Sequence, residues 1–136
     1  WDIAKTSKKP FIATHSNSRF VTSHPRNLSD DMIKALAEKG GVMGLNFAPD
    51  FLSSRKDKTS RIDDMVKHIL HIRNVGGSGV LAIGTDFDGI HGKLEIGTPA
   101  DMPLLEDALL KAGLSQDELD NMMKNNIIRV FKEVWK

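Results

Sequence analysis

The chain has 136 residues, of which 40% are hydrophobic and 27% are charged, which is typical of one globular domain or of a piece of a larger one. Its 19 basic and 18 acidic residues are spread along the sequence and give a formal net charge of +1, which argues against nucleic acid or an anionic membrane as a partner. The absence of cysteine excludes a disulfide framework and a thiolate metal site, so a bound metal would need His, Asp or Glu ligands.

The first residue and the apolar content of the chain predict what kind of polypeptide it is and where it is found. No apolar run approaches the roughly 20 residues of a membrane span, and no basic segment followed by an apolar core opens the sequence as in a signal peptide. The first residue is Trp1 rather than Met, which we interpret as the mark of a fragment. We therefore expect a soluble segment of a larger protein, cytoplasmic if that protein is of a bacterial type.

The first part of the chain predicts a strand followed by a helix. Residues 11–14 form an apolar run that is too short for a helix, which predicts a buried strand with His15 at its carboxyl end. After a polar loop, Ser29 is a favourable N-cap for a short amphipathic helix that ends before Gly40.

A second unit of strand and helix follows. Residues 42–47 form another apolar run without a helical period, which is typical of a parallel strand covered on both faces, and Asn46 lies near its end. After a polar stretch over residues 48–59, Ser60 and Asp63 resemble a capping box and predict the start of a second helix.

The last part predicts one more strand and then two helices. Residues 80–83 form a third buried strand that leads directly into a polar turn at residues 84–89. Leucines at residues 104–109 predict a helix, and Ser115 with Glu118 predicts a capping box at the start of the last one. This element order predicts an α/β fold with a parallel sheet, which leaves an open doubly wound sheet and part of a barrel as alternatives.

Each predicted strand is followed by a polar residue at its carboxyl end. His15, Asn46 and Asp86 lie at or near successive strand ends, where the sites of parallel α/β folds form. A neutral imidazole and a carboxylate suit zinc, and a carboxylate beside a metal centre can also transfer protons. The set predicts metal-assisted hydrolysis. Asp88 is the alternative carboxylate and is ranked below Asp86 as the more structural member of the turn.

Arg26 lies on a proline-stiffened loop on the same side as His15, and its guanidinium could bind a carboxylate through two hydrogen bonds. Simpler alternatives stay open: His15 could cap a loop, Arg26 could be a solvated charge, and His24 is interpreted as a loop-bracing residue. His68 and His71 lie three residues apart on an outer helix and are interpreted as packing or surface residues.

These residues fall in strings that resemble one known family. Residues 14–19 read Thr-His-Ser-Asn-Ser-Arg, residues 24–27 read His-Pro-Arg-Asn, and residues 84–89 read Gly-Thr-Asp-Phe-Asp-Gly. In order and spacing they are similar to the renal-type, or membrane, dipeptidases, which are zinc dipeptidases of the amidohydrolase-like barrel type. The resemblance runs from about Trp1 to Trp135.

The resemblance implies a fold and a reaction. Members of the family are (β/α)₈ TIM barrels with parallel strands, so residues 1–136 would form the C-terminal segment of one such domain, with about three βα units and the final helix. They hydrolyse dipeptides with two zinc ions and a bridging hydroxide as the nucleophile. By similarity, His15 is a zinc ligand, Arg26 holds the terminal carboxylate of the substrate, and Asp86 is the catalytic acid and base.

The resemblance also shows what this sequence lacks. The early His-x-Asp pair of the family, its bridging glutamate and its other zinc histidine are not found here. The expected partners are therefore a dipeptide substrate and the missing N-terminal part of the barrel, with a homodimer left open, and the chain alone is expected to be inactive. Another amidohydrolase-type metal-dependent hydrolase and a non-catalytic barrel fragment that serves as a scaffold are the alternatives.

Overall fold

A computed structural model describes residues 1–135 as a three-stranded parallel sheet flanked by helices. The sheet consists of β1 (Ile12–Ala13), β2 (Val42–Leu45) and β4 (Leu81–Ile83), and a separate pair consists of β3 (Thr59–Ser60) and β5 (Lys93–Leu94). The helices are α1 (Asp2–Thr6), α2 (Asp30–Glu38), α3 (Pro49–Leu52), α4 (Ile62–Gly76), α5 (Met102–Lys111), α6 (Gln116–Asp120) and α7 (Asn126–Val134). A π-helical turn, Asn121–Asn125, joins the last two helices. Within these residues, no helix combines the length and apolar character needed to cross a membrane.

The sheet has the order β1-β2-β4, and both pairings are parallel. Val42 lies opposite Ile12, and Met43 lies opposite Leu81. Helix α2 connects β1 to β2 and α4 connects β2 to β4, which gives two successive crossover units of the kind that parallel strands require. The predicted α/β fold with parallel strands is therefore confirmed.

Different helices cover the two faces of the sheet. Side chains alternate between faces along a strand, and Met43 belongs to a core that includes Ile33 of α2 and Ile69 of α4. Its neighbour Val42 packs with Val130 of α7 instead. Strand β2 is consequently buried along its whole length, as its continuous apolar run predicts. Strand β1 pairs with β2 alone among the described strands and is only partly buried, less than predicted.

Helix α7 lies across the amino edge of the sheet. Arg129 donates hydrogen bonds to the carbonyl oxygens of Gly40, at 2.6 Å, and of Gly79, at 3.0 Å, just before β2 and β4. Asn126 donates two more, each of 2.9 Å, to carbonyl oxygens just before β4 and at its first residue. The helix thus satisfies backbone acceptors where the strands begin, at the end of the sheet opposite His15.

Two of the three predicted helix caps are confirmed. The hydroxyl group of Ser29 accepts a hydrogen bond from the amide of Met32 at 3.4 Å. Ser115 and Glu118 form a complete capping box, with distances of 3.1 Å and 3.0 Å for its two hydrogen bonds. Each of these helices begins as its local sequence indicates.

The predicted capping box of Ser60 and Asp63 is wrong. Ser60 is buried in β3 and its hydroxyl group has no hydrogen-bond partner among the described residues, while α4 begins at Ile62. The amide of Ile62 donates instead to the Glu95 carboxylate at 2.8 Å. Pairing of β3 with β5 brings Glu95 to the helix start, so a carboxylate distant in sequence replaces the local cap.

Candidate active site

The polar residues that follow the strands lie together at the carboxyl edge of the sheet. His15, Arg26 and Asp86 line one cleft of about 330 Å³, together with residues that include Phe51 and His91. The structure therefore brings together the three residues that were predicted as site residues, whereas Asn46, the other predicted strand-end residue, does not line the cleft. This placement agrees with the rule that sites of parallel α/β folds form where strands end.

Two glycines allow the segment after β1, which carries His15, to lie close to the ends of β2 and β4. A Cβ atom at Gly44 would lie 2.3 Å from the carbonyl oxygen of Thr14, and one at Gly84 would lie 2.0 Å from the same oxygen. Any larger residue would push the segment after β1 away from the other strands. The amide of Ser16 also donates to the Gly44 carbonyl at 2.9 Å, which fixes the segment that carries His15. Glycine inside an apolar strand was the sequence signal for this close approach, and it was missed.

Both ring nitrogens of His15 contact polar groups. Nε2 lies 3.1 Å from a guanidinium nitrogen of Arg26, and Nδ1 lies 2.6 Å from the hydroxyl oxygen of Thr14. A guanidinium group can only donate, so in the neutral ring Nε2 accepts and Nδ1 carries the proton, which it donates to Thr14. That tautomer leaves a lone pair on Nε2 toward the cleft, as a metal ligand requires.

The loop that carries Arg26 is braced locally. The Arg26 amide donates to Nδ1 of His24 at 3.1 Å, which confirms the predicted bracing role of His24. The guanidinium carbon lies 5.4 Å from the centroid of the Phe51 ring, within the range of a cation–π contact. Among the described residues, the guanidinium makes no hydrogen bond other than the one to His15. Its remaining N–H groups can therefore bind a ligand in the cleft.

Asp86 adopts a backbone conformation that is rare for a residue with a side chain. Its φ is +63°, in the left-handed region, and its carbonyl accepts a hydrogen bond from the Gly89 amide at 2.9 Å. Its Oδ2 atom accepts a second one from Nδ2 of Asn46 at 3.1 Å. Asp88 is exposed and does not line the cleft, which supports ranking Asp86 above it. Strained conformations of this kind concentrate at functional sites.

Buried asparagines support this edge, and their contacts were not predicted. Asn17 accepts a hydrogen bond from the Asn46 amide at 2.8 Å and donates one to the Asn46 carbonyl at 2.9 Å. Asn27 accepts from the Asn17 amide at 3.2 Å and donates to the carbonyl oxygens of Thr22 and Phe51 at 3.0 Å and 2.9 Å. Asparagine inside two of the three motifs, at residues 14–19 and 24–27, was the available signal, since this side chain both donates and accepts.

His68 makes hydrogen bonds to two of the segments near the cleft, one at Ser18 and one at Leu52. It is fully buried, its Nδ1 accepts from the Ser18 amide at 3.1 Å, and its Nε2 lies 3.0 Å from the carbonyl oxygen of Leu52. Burial lowers the pKa of His68 to about 4. His71 lies 2.8 Å from the Asp30 carboxylate. The packing interpretation is therefore confirmed for His68, and the two rings do not share a site.

The described residues do not by themselves form a complete metal site. Within residues 1–135, no group of three or more His, Asp or Glu side chains is placed to hold a metal ion. In the neutral tautomer inferred above, Nε2 of His15 offers one donor atom to a metal ion. The donor set therefore fits a metal only if further ligands come from outside the described residues.

Comparisons with known proteins identify one family along the whole chain. The model of the membrane dipeptidase family, peptidase family M19, matches residues 1–136. A Klebsiella pneumoniae protein named for its place in the pqqA 5′ region is 38% identical over 138 residues, which cover 100% of this chain and 51% of that protein. An uncharacterized dipeptidase of Schizosaccharomyces pombe is 33% identical over 134 residues, which cover 97% of this chain and 32% of that protein.

A solved structure agrees with these relatives. The crystal structure of a metallopeptidase from Rhodobacter sphaeroides, liganded with a phosphinate mimic of the dipeptide L-Ala-D-Ala, matches with a TM-score of 0.91 and 29% identity, over 98% of this chain and 39% of that one. This chain spans about half the length of the Klebsiella relative and about a third of the fission yeast relative. Because the family model matches every residue of the sequence, the chain belongs to the membrane dipeptidase family, peptidase family M19.

Proposed function

We propose that the whole protein is a zinc dipeptidase with two zinc ions in a (β/α)₈ barrel, and that residues 1–136 form the C-terminal segment of this barrel. The observation that carries the proposal is the convergence of His15, Arg26 and Asp86 on one cleft at the carboxyl edge of a parallel sheet. Barrel enzymes use this edge for catalysis. Membership of a dipeptidase family makes a short peptide the substrate class that best accounts for the three residues.

His15 is proposed as a ligand of one zinc ion, and the other ligands would come from the remainder of the barrel. When bound, zinc supplies Lewis-acid chemistry: it polarises the peptide carbonyl and stabilises the negative charge that develops there. The Nε2 lone pair of His15 cannot bind zinc and accept from Arg26 at the same time. Metal binding is therefore expected to release the Arg26 guanidinium from its contact with His15.

Arg26 is proposed to bind the terminal carboxylate of the dipeptide. Its planar guanidinium presents parallel N–H groups that match a carboxylate, and the Phe51 ring beside it limits its movement. A substrate held at this end keeps its peptide bond at a defined distance from His15 and Asp86. Positioning of this kind lowers the entropic part of the barrier.

Asp86 is proposed to carry the proton that the leaving amine needs. Cleavage of a peptide bond requires removal of a proton from the attacking water and delivery of a proton to the amide nitrogen. A carboxylate in the cleft can do both in sequence. The mimic of L-Ala-D-Ala bound by the Rhodobacter metallopeptidase supports a small dipeptide as the substrate, including one with a D-residue at its carboxyl end.

The proposal is tested by zinc content and by hydrolysis of a panel of dipeptides and cyclic amides. These are measured on this chain alone and on a longer polypeptide that carries the family's remaining barrel strands. We expect the longer polypeptide to bind about two zinc ions and to cleave dipeptides, and this chain alone to do neither. Metal binding with cleavage of cyclic amides but not dipeptides would favour another amidohydrolase-type enzyme, and no metal binding would favour a scaffold.

A further inference from the structure

We infer that Asn46, clamped by Asn17, is a positioning residue that orients the Asp86 carboxylate for proton transfer. The inference rests on the proposed function, in which Asp86 is the acid and base. Asn46 does not line the cleft, so it acts on the substrate only through Asp86. Three observations carry the inference: the fixed orientation of the Asn46 amide group, the clamp on its backbone, and the conformation of Asp86.

The orientation of the Asn46 side chain follows from its partners. It is fully buried, and its Oδ1 atom accepts a hydrogen bond from the Ala48 amide at 2.6 Å. A backbone N–H can only donate, so the oxygen must face Ala48 and the NH₂ group must face the other way. There Nδ2 lies 3.1 Å from Oδ2 of Asp86. The orientation of the Asn46 amide group is therefore fixed, and the group that it presents to Asp86 is the NH₂ donor.

The backbone of Asn46 is held where regular strand pairing has stopped. Strand β2 ends at Leu45, and on the side that faces β1 the last backbone hydrogen bond is the one from the Ser16 amide to the Gly44 carbonyl. Beyond it, the Asn17 side chain bonds to the backbone of Asn46. This side chain accepts from the Asn46 amide at 2.8 Å and donates to its carbonyl at 2.9 Å, as a neighbouring strand would. Asn17 thus extends the pairing by one residue and places the Asn46 side chain.

The two oxygens of Asp86 are placed in different surroundings. Oδ2 is bound by Asn46, and Oδ1 lies over Gly89, where a Cβ atom would come within 2.4 Å of it. Because a carboxylate is planar, fixing one oxygen and the left-handed backbone also fixes the other oxygen. Oδ1 accepts no hydrogen bond from the described residues, so we expect it to be the oxygen that transfers the proton, in a cleft that both Asp86 and Gly89 line. Loss of such positioning reduces turnover because a catalytic group misplaced by about 1 Å can cost about 100-fold in rate.

The test is a double-mutant cycle in the longer polypeptide loaded with zinc. Asn46→Ala is expected to lower kcat by about 10- to 100-fold with little change in KM or zinc content. In a background that carries Asp86→Asn, the same substitution is expected to cause no further loss, because there is no longer a carboxylate to orient. Equal losses in both backgrounds, or a raised KM with unchanged kcat, would overturn the inference.

A second variant covers the case in which Asn46→Ala does not fold. Asn46→Leu keeps the number and branching of the side-chain heavy atoms and removes the donor to Asp86 without adding a charge, so kcat is expected to fall for the protein that is folded and loaded with zinc, which the melting temperature and the zinc content report. Full activity in folded Asn46→Leu, together with impaired activity in Asp86→Asn, would refute the inference and leave the proposed role of Asp86 standing. Full activity in Asp86→Asn would instead refute the proposed role of Asp86, which separates the two failures.

Discussion

The two edges of the sheet carry the same kinds of polar residue and use them differently. At the amino edge, Arg129 and Asn126 donate to backbone carbonyl oxygens near the starts of the strands. At the carboxyl edge, Arg26 and Asp86 contact other side chains, His15 and Asn46, and both line a cleft. The two edges differ in the hydrogen-bond partners of these residues. At the amino edge the side chains bind the backbone and hold the helix on the sheet, whereas at the carboxyl edge Arg26 and Asp86 keep donors or acceptors that can bind a substrate.

The largest expected effect is that of Asp86→Asn at the carboxyl edge. In the longer, zinc-loaded polypeptide, kcat for a dipeptide is expected to fall by about 10² to 10⁴-fold, the usual contribution of proton transfer by a positioned group. Zinc content and melting temperature should change little, because the amide retains the size of the carboxylate. Steady-state kinetics and metal analysis measure both.

Asp88→Asn is the matched control for that substitution. Asp88 lies two residues away in the same turn, is exposed and does not line the cleft. Its replacement is expected to leave kcat unchanged. If kcat falls as much in Asp88→Asn as in Asp86→Asn, the reaction depends on the total negative charge of the turn and not on the Asp86 carboxylate in particular.

Beneath the carboxyl edge, His68 is expected to make stability depend on pH. Burial lowers its pKa to about 4 in the folded protein, against 6.5 in the unfolded chain. The unfolded state therefore takes up the proton first, so the free energy of unfolding should fall as the pH drops from about 6.5 to about 4, by about 3 kcal/mol in total. Denaturant unfolding at a series of pH values measures this, and His68→Gln should show a shallower dependence. An equal pH dependence of the free energy of unfolding in the parent and in His68→Gln would contradict the assignment of this effect to His68.

Asn126→Ala is expected to give the smallest effect, and one confined to stability. It removes two hydrogen bonds to carbonyl oxygens, a buried one to Leu81 and a partly buried one to Ser78, at a cost of about 1 to 3 kcal/mol in the free energy of unfolding, with kcat unchanged. Its exposed neighbour Asn125 provides the control, and Asn125→Ala should cost no more than about 0.5 kcal/mol. A fall in kcat for fully folded Asn126→Ala would contradict the view that the amino edge contributes to stability and not to catalysis.

The regular elements could be predicted because their signals are local. Apolar runs located the three strands of the sheet, and the caps at Ser29 and Ser115 located two helix starts. The placement of His15 and Asp86 at one edge was also predictable, because parallel strands end there, and Arg26 was expected on the same side as His15. The barrel and the zinc ligands outside this chain stay proposals that rest on the family.

The features that were missed depend on contacts between distant residues. Glu95 caps α4 from 33 positions away in sequence, and Ser60 alone gave the wrong start. Asn17 replaces a strand partner for Asn46, which only the end points of β1 and β2 reveal. Propensities and motifs describe neighbours along the chain, so they do not show which side chain will complete a hydrogen bond across the sheet.

The carboxyl edge of the sheet is proposed to bind a dipeptide by its free carboxylate and to cleave it. This proposal is tested most directly by measuring kcat/KM for a dipeptide and for its carboxyl-terminal amide, in the longer zinc-loaded polypeptide and in its Arg26→Ala variant. We expect a loss of about 10- to 100-fold in kcat/KM for the dipeptide and a much smaller loss for the amide, because only the dipeptide offers Arg26 a charged partner. Equal losses for both substrates would contradict it and make Arg26 a structural residue.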